Sequence, residues 1–262
     1  MYSFTVKSKF HNYNVDFISS IEESFARELK DSDYIIIDKN VFNLFNEKLL
    51  NIINNKRKIL IGWMSNWQYA NIVPTEKFRN AFTLPRELGL AKIGDELYLK
   101  SMPVAELKTI EQIPIIKKDI IVNQSLDLTT FIGKLSTPSK HEFKFTNQNS
   151  YSFEFSNNLN EKVIIGYNKE KNSFFIDRTK SGKVDFEKDF ARINFAPRLS
   201  NQEEISLIIY LDRSSIEIFA DNGLSLLTSV VFPNEDYNKI LMFSSKISMI
   251  NKFTYTPMKP IW

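Results

Sequence analysis

The sequence contains no cysteine. A disulfide framework, a thiolate nucleophile and a zinc–cysteine site are therefore all excluded. Glycine is scarce, with seven in 262 residues, and neither a G-x-x-x-x-G-K-[ST] nor a G-x-G-x-x-G pattern occurs, so no phosphate-cradling loop is expected. Only two histidines are present. His11 and His141 lie in different segments without neighbouring acidic spacing, which leaves no metal cluster and no Ser-His-Asp arrangement to assemble. Both are read as surface or partly buried, and no metal or cofactor is expected. No apolar run approaches the roughly 20 residues of a spanning helix. The opening MYSFTVKSKFHNYNVDF carries scattered charge and no apolar core, so it does not read as a signal peptide, and the compartment stays open. Charge of one sign is also missing. Lys and Arg number 34 against 31 Asp and Glu, a net +3, too small and too evenly spread to imply a nucleic acid or an anionic membrane as partner.

What is present divides into three parts. Residues 1–57 have an α/β texture. Phe4 and Val6, then Val15 and Phe17, alternate as two short strands would. Helical spacing follows at Ile21, Phe25 and Leu29, with Glu22 and Glu23 in the first turn. Tyr34–Ile37 forms a continuous apolar run ending at Asp38, as in a buried strand, and Val41–Ile53 reads as a second helix. Asp38 is read as a turn residue before that helix.

From Lys58 the helical pattern gives way to short alternating strands. Residues 58–108 begin with the apolar Ile59-Leu60-Ile61 and carry two tryptophans, Trp63 and Trp67, ahead of a Pro-Arg-Glu-Leu turn. PVAELKTIEQIP, Pro103–Pro114, connects them to residues 109–262. There Tyr151-Phe153-Phe155, Ile205-Leu207-Ile209-Leu211 and Ile216-Ile218 alternate. Gly166, Lys180-Ser181-Gly182, Asp212-Arg213, Asp221-Asn222-Gly223 and Pro233-Asn234 punctuate them. Asp-Asn-Gly between two strands is a hairpin signal, because Asn and Gly tolerate positive φ. Short strands with one apolar face each, and 22 phenylalanines, make an antiparallel β-sandwich. The expected fold is mainly β: a C-terminal sandwich, one remnant propeller blade before it, and a small α/β segment at the start.

Two blocks carry a family resemblance. The first is KILIGWMSNWQYANIVPTEKFRNAFTLPREL, Lys58–Leu88. The second is SFFIDRTKSG, YLDRSSIEIFADNG and TSVVFP, at Ser173–Gly182, Tyr210–Gly223 and Thr228–Pro233. Together they resemble the last propeller blade and sandwich of glycoside hydrolase family 32, the β-fructosidases that include invertases, levanases and inulinases. The resemblance implies a fructan or sucrose-type carbohydrate as partner. Retaining glycosidases need two carboxyl groups about 5–5.5 Å apart. In this family they come with W-M-N-D-P-N-G, E-C and R-D-P motifs, and none of the three occurs here. No catalytic residue is assigned, and the chain is expected to be a truncated or chimeric relative, inactive alone. Trp67 corresponds to the family tryptophan that flanks the fructosyl subsite, and Asn66 would hydrogen-bond the sugar hydroxyls. Trp63 and Trp67 also have a plainer reading as packing residues of the blade, which is favoured for Trp63. Arg86 and Glu87 read as a turn salt bridge holding a strand end, and Asp177-Arg178 and Asp212-Arg213 as structural turns. The alternative function is a non-catalytic glycan-binding or association module, because an isolated blade leaves strand edges open to self-association or to a chain carrying the missing blades.

DYIIIDKNVFNLFNEKL, within residues 1–57, resembles the N-terminal edge of the 3-dehydroquinate synthase family. That family's nicotinamide loop and metal-binding Glu and His have no counterpart afterwards, which implies a stub without its site.

Overall fold

The computed structural model describes residues 2–7, 12–17 and 57–261. At the start, β1 (Tyr2–Lys7) and β2 (Asn12–Phe17) pair as an antiparallel hairpin, in agreement with the two alternating runs. The helices expected over 21–29 and 41–53, the strand at 34–37, Asp38 and His11 lie outside the described residues.

A three-stranded antiparallel sheet follows, with β4 (Arg86–Ile93) between β3 (Lys58–Leu60) and β5 (Glu96–Pro103). Between β3 and β4 the chain makes a long irregular excursion, residues 61–85. Its neck is closed by an isolated bridge between Trp63 and Phe82. Two backbone bonds of 2.8 Å frame that bridge, from Met64 N–H to Ala81 O and from Thr83 N–H to Gly62 O. A single 3₁₀ segment, Ala105–Ile110, bridges the blade to the next strand.

The remaining strands form two six-stranded antiparallel sheets. One runs β12 (Ile193–Pro197), β11 (Ser173–Lys180), β10 (Lys162–Asn168), β9 (Tyr151–Ser156), β16 (Lys239–Ser244) and β7 (Ser125–Asp127). The other runs β15 (Ser225–Val230), β14 (Ser215–Ala220), β13 (Glu204–Leu211), β8 (Ser139–Thr146), β17 (Ser248–Pro257) and β6 (Ile115–Val122). One helical turn, α1 (Thr129–Ile132), separates β7 from β8. The protein is mainly β.

Alternation dictates the core between the sheets. Tyr151, Phe153 and Phe155 face inward from β9, and Ile205, Leu207 and Ile209 from β13. Phe143 stacks on Phe253 at 4.9 Å and meets Phe153 at 4.1 Å, within the range where aromatic pairs add to simple area burial. Burying each such side chain contributes roughly 1.5–3 kcal/mol. The outward face of the β13–β15 sheet is not solvated. Tyr210 and Phe219 pack there against Leu84 and Met102 of the blade and Leu107 and Ile110 of the connector.

Two expectations are corrected. Gly166 does not end a strand. It sits inside β10 because the ring of Phe175 lies over it, and a Cβ would stand 2.5 Å from that ring. His141 is neither at the surface nor half-buried. It is fully enclosed in β8 against Phe155 and Tyr255, because an inward position of a central strand takes whatever side chain the register places there. The Asp-Asn-Gly reading is matched by φ of 49°, 57° and 83° at Asp221, Asn222 and Gly223 between the paired strands β14 and β15.

Candidate functional site: an exposed tryptophan pair on a sandwich-clamped loop

The excursion between β3 and β4 presents the two tryptophans. Trp67 is 89% exposed, and its ring lies 5.1 Å from that of Trp63 at 57°. Trp63 is 37% exposed and bridges to Phe82, itself 71% exposed. Trp63 is thus bridged into the blade backbone at the neck of the loop, with its ring against the exposed Trp67. An indole this accessible offers a flat apolar face of the kind that stacks on a sugar ring.

Asn66 shapes the turn that carries Trp67. Its Oδ1 accepts the Gln68 N–H at 2.9 Å, and its carbonyl accepts Tyr69 N–H at 3.1 Å and Ala70 N–H at 2.8 Å. Asx side chains favour this local capping. The Asn66 side-chain oxygen thus gives one of its two acceptor positions to the Gln68 backbone.

The turn exits into a buried mixed core. Met64, Tyr69 and Val73 from the loop pack with Phe190, Val230 and Phe232 from the sandwich. Phe190 and Phe186 meet the Tyr69 ring edge-on at 5.4 and 6.2 Å. Beside this contact lies a shallow surface depression, lined by Met64, Ser65, Phe78, Asn80, Val230 and Phe232 among others. Ser65 Oγ and Asn80 Oδ1 are buried with no hydrogen-bond partner among the described residues.

The charged residues named from the sequence serve structure. Arg86 and Glu87 do not pair with each other, since adjacent strand residues face opposite sides. Arg86 is buried and reaches across to Glu217 of β14 at 2.5 Å and Thr228 Oγ1 at 2.6 Å. Glu217 also accepts the Leu84 N–H at 2.7 Å. Glu87 instead accepts from Arg57 at 2.7 Å. Asp212 accepts the Arg213 N–H, as a structural turn would; Asp177 and Arg178, expected as a turn, instead lie inside β11, where Asp177 accepts from the backbone and hydroxyl of Thr179. Arg178 is buried; it donates to Phe190 O at 2.9 Å and Val230 O at 3.2 Å, with Tyr69 Oη at 3.5 Å. Burial lowers its pKa from the usual guanidinium value.

Two buried carboxylates stand out, since perturbed acids often mark catalytic sites. Burial raises the pKa of Glu217 and of Asp221 above the ordinary carboxylate range. Asp221 is held by Arg198 Nε at 2.7 Å and accepts the Ser206 N–H at 3.3 Å. Each acid is closed around its own arginine, an arrangement that holds strands together and offers neither group to a substrate. Neither ion pair was legible beforehand, because no local pattern links residues 23 or 131 positions apart.

Among the described residues no group of three or more His, Cys, Asp or Glu could hold a metal ion. No described helix is long and apolar enough to cross a membrane.

Comparisons with known proteins agree with this architecture. Residues 9–101 match the glycosyl hydrolases family 32 N-terminal domain, and residues 106–257 match the family's C-terminal domain. The first match runs through most of the segment read above as an α/β stub. A levanase of Bacillus subtilis is 29% identical over 221 residues, 79% of this chain and 32% of its own. An extracellular exo-inulinase of Aspergillus awamori is 32% identical over 184 residues, 67% of this chain and 34% of its own. In the crystal structure of exo-inulinase from Aspergillus awamori, the similarity covers 79% of this chain and 43% of that one, with a TM-score of 0.68 and 25% identity. A β-fructofuranosidase from Schwanniomyces occidentalis shares the fold with a TM-score of 0.66. The chain spans about a third of the length of the levanase and exo-inulinase sequences it matches. With both domain matches in order and the sandwich match alone covering more than half of its residues, the chain belongs to glycoside hydrolase family 32.

Proposed function

We propose that this chain is the sandwich-bearing portion of a β-fructosidase. In this reading it supplies the sugar-facing aromatic wall at Trp67, with Asn66 shaping it, and alone hydrolyses none of sucrose, levan and inulin. The observation that carries the reading is the open Trp63–Trp67 pair in a sequence without W-M-N-D-P-N-G, E-C or R-D-P. Cleavage of a fructoside requires two cooperating carboxyl groups, and the buried acids Glu217 and Asp221 are tied to arginines. The partner is a fructan or sucrose-type carbohydrate, in keeping with the levanase and exo-inulinase names of the relatives. Catalytic acids would come from preceding blades, on the same or an associating polypeptide. Purified chain incubated with sucrose, levan and inulin should release no fructose above the buffer blank. Clear turnover would refute the proposal and require acids not named here.

A second reading, a non-catalytic glycan-binding or association module, is favoured by the exposure of Trp67, Phe82 and Phe78. Levan oligosaccharides titrated against tryptophan fluorescence test binding, and size-exclusion chromatography at high concentration tests association. Folded protein that gives no fluorescence response and elutes as a monomer would rule this reading out. For residues 1–57, the family match from residue 9 supports continuity with the blade. The dehydroquinate-synthase likeness is the rival, and it requires nicotinamide binding that equilibrium dialysis would detect.

A further inference from the structure

The loop that bears Trp67 is not held by its own blade alone. Its exit residue, Tyr69, is 5% exposed and enters a box built by the sandwich. The walls are Phe186 and Phe190, from the loop over residues 181–192, with Phe232 behind them 5.6 Å from Phe190. That sandwich loop is itself anchored at its root. Lys183 N–H donates to Phe232 O at 2.9 Å, Tyr237 Oη donates to Ser181 O at 2.8 Å, and Gly182 lies so close that a Cβ would meet Phe232 O at 2.2 Å. Arg178 closes the box. Its guanidinium lies 4.0 Å from the centre of the Phe190 ring and 5.8 Å from that of Tyr69, and its donors engage the carbonyls of Phe190 and Val230. From Tyr69 the chain of contacts is short. Its N–H and that of Ala70 bond to the Asn66 carbonyl, so the backbone that aims Trp67 is tied at one end to the sandwich.

We infer that Arg178, acting through Phe190 and Tyr69, is a positioning residue that sets the orientation of Trp67 relative to Trp63, making the sandwich a determinant of which sugar face this site accepts. The inference rests on reading Trp67 as the sugar-contacting residue. The physical reason is preorganisation: a side chain exposed on a turn loses rotational freedom on stacking unless its backbone is already fixed. Arginine fits the position because a planar guanidinium stacks on an aromatic ring while its N–H fork reaches two carbonyls, which a lysine ammonium cannot reproduce.

The test uses the full chain and two readouts. Indoles at 5.1 Å and 57° couple their electronic transitions, so wild type should show an exciton couplet in far-ultraviolet circular dichroism, and Trp67→Ala should abolish it. Arg178→Lys should remove most of the couplet and weaken levan-oligosaccharide binding about fivefold, the effect of roughly 1 kcal/mol of lost preorganisation. Tyr69→Phe and Phe190→Leu probe the same box should Arg178→Lys fail to fold. A destabilised control distant from the box, Val122→Ala in β6 at the far edge of its sheet from β15, should keep the couplet whatever it does to the melting temperature. Folded box variants that retain the couplet and the affinity overturn the inference, as does a wild type with no couplet. If wild type shows the couplet but binds no oligosaccharide, the sugar reading fails, and the couplet in the variants still decides whether Arg178 positions Trp67.

Discussion

His141 gives the sharpest quantitative prediction. It is fully enclosed in β8, with Nε2 3.0 Å from Ser139 Oγ, Nδ1 without a partner among the described residues, and the rings of Phe155 and Tyr255 at 5.1 and 5.3 Å. Burial pushes its pKa down to about 3, because an imidazolium there would be desolvated without a counter-ion. In the unfolded chain the same side chain titrates near 6.5. The folded value is the lower, so below pH 6.5 the unfolded state binds the proton first. Stability from this group is complete above about pH 7.5, and it is lost as the pH falls through 6.5 towards 3. At pH 5 the loss is about 1.5 pH units at 1.36 kcal/mol each, or about 2 kcal/mol. His141→Gln keeps a polar reach towards Ser139 and removes the titration. Urea unfolding of both proteins between pH 7.5 and 5 should show a wild-type stability that falls more steeply than the variant's, the gap growing by about 2 kcal/mol. Contributions of other groups cancel in that difference. Parallel curves for the two proteins would refute the reasoning.

Other outcomes follow from the joints between blade and sandwich. Glu217→Ala strands the buried Arg86 guanidinium and should cost about 3–5 kcal/mol in chemical denaturation, whereas Arg86→Met with Glu217→Leu should recover most of that loss. Gly223→Ala places a Cβ 2.3 Å from Ser101 O at a φ of +83°; destabilisation by at least about 1–3 kcal/mol is expected, and a change within error would show that the contact yields. Trp67→Ala should leave unfolding free energy within about 0.5 kcal/mol of wild type, as exposed positions do, while removing the oligosaccharide response of tryptophan fluorescence.

The sandwich was legible because its signal is periodic. Ile205, Leu207 and Ile209 repeat at the two-residue spacing that points them to one face, and the structure buries all three. Asp221-Asn222-Gly223 was legible because a run of positive φ admits few residue types. Where a position answers to a distant partner, sequence was silent. Gly166 looks like a turn residue until the Phe175 ring is seen lying across it. Arg86 and Glu87 look like a pair until strand alternation sends one to Glu217 and the other to Arg57. For the candidate site, the pattern around Trp63 and Trp67 named the residues, and their accessibility required the fold.

The distribution of buried charge bears on what kind of molecule this is. Arg86–Glu217 joins blade to sandwich, Arg198–Asp221 pins the β14–β15 turn under the blade's Ser101, and Arg178 ties the Trp67 loop to the strand β11. Buried ion pairs add little net stability against apolar substitutes, yet breaking one partner is costly. Of these, Arg86–Glu217 crosses the joint, so an arrangement in which blade and sandwich separate would leave its two desolvated charges unpaired or require their resolvation. The apolar seam of Tyr210, Phe219, Leu84 and Met102 then supplies attraction while the Arg86–Glu217 pair supplies registry. A site whose wall is carried by the blade and whose orientation is fixed from the sandwich depends on that registry, so variants that loosen the seam should change glycan affinity before they change the fold.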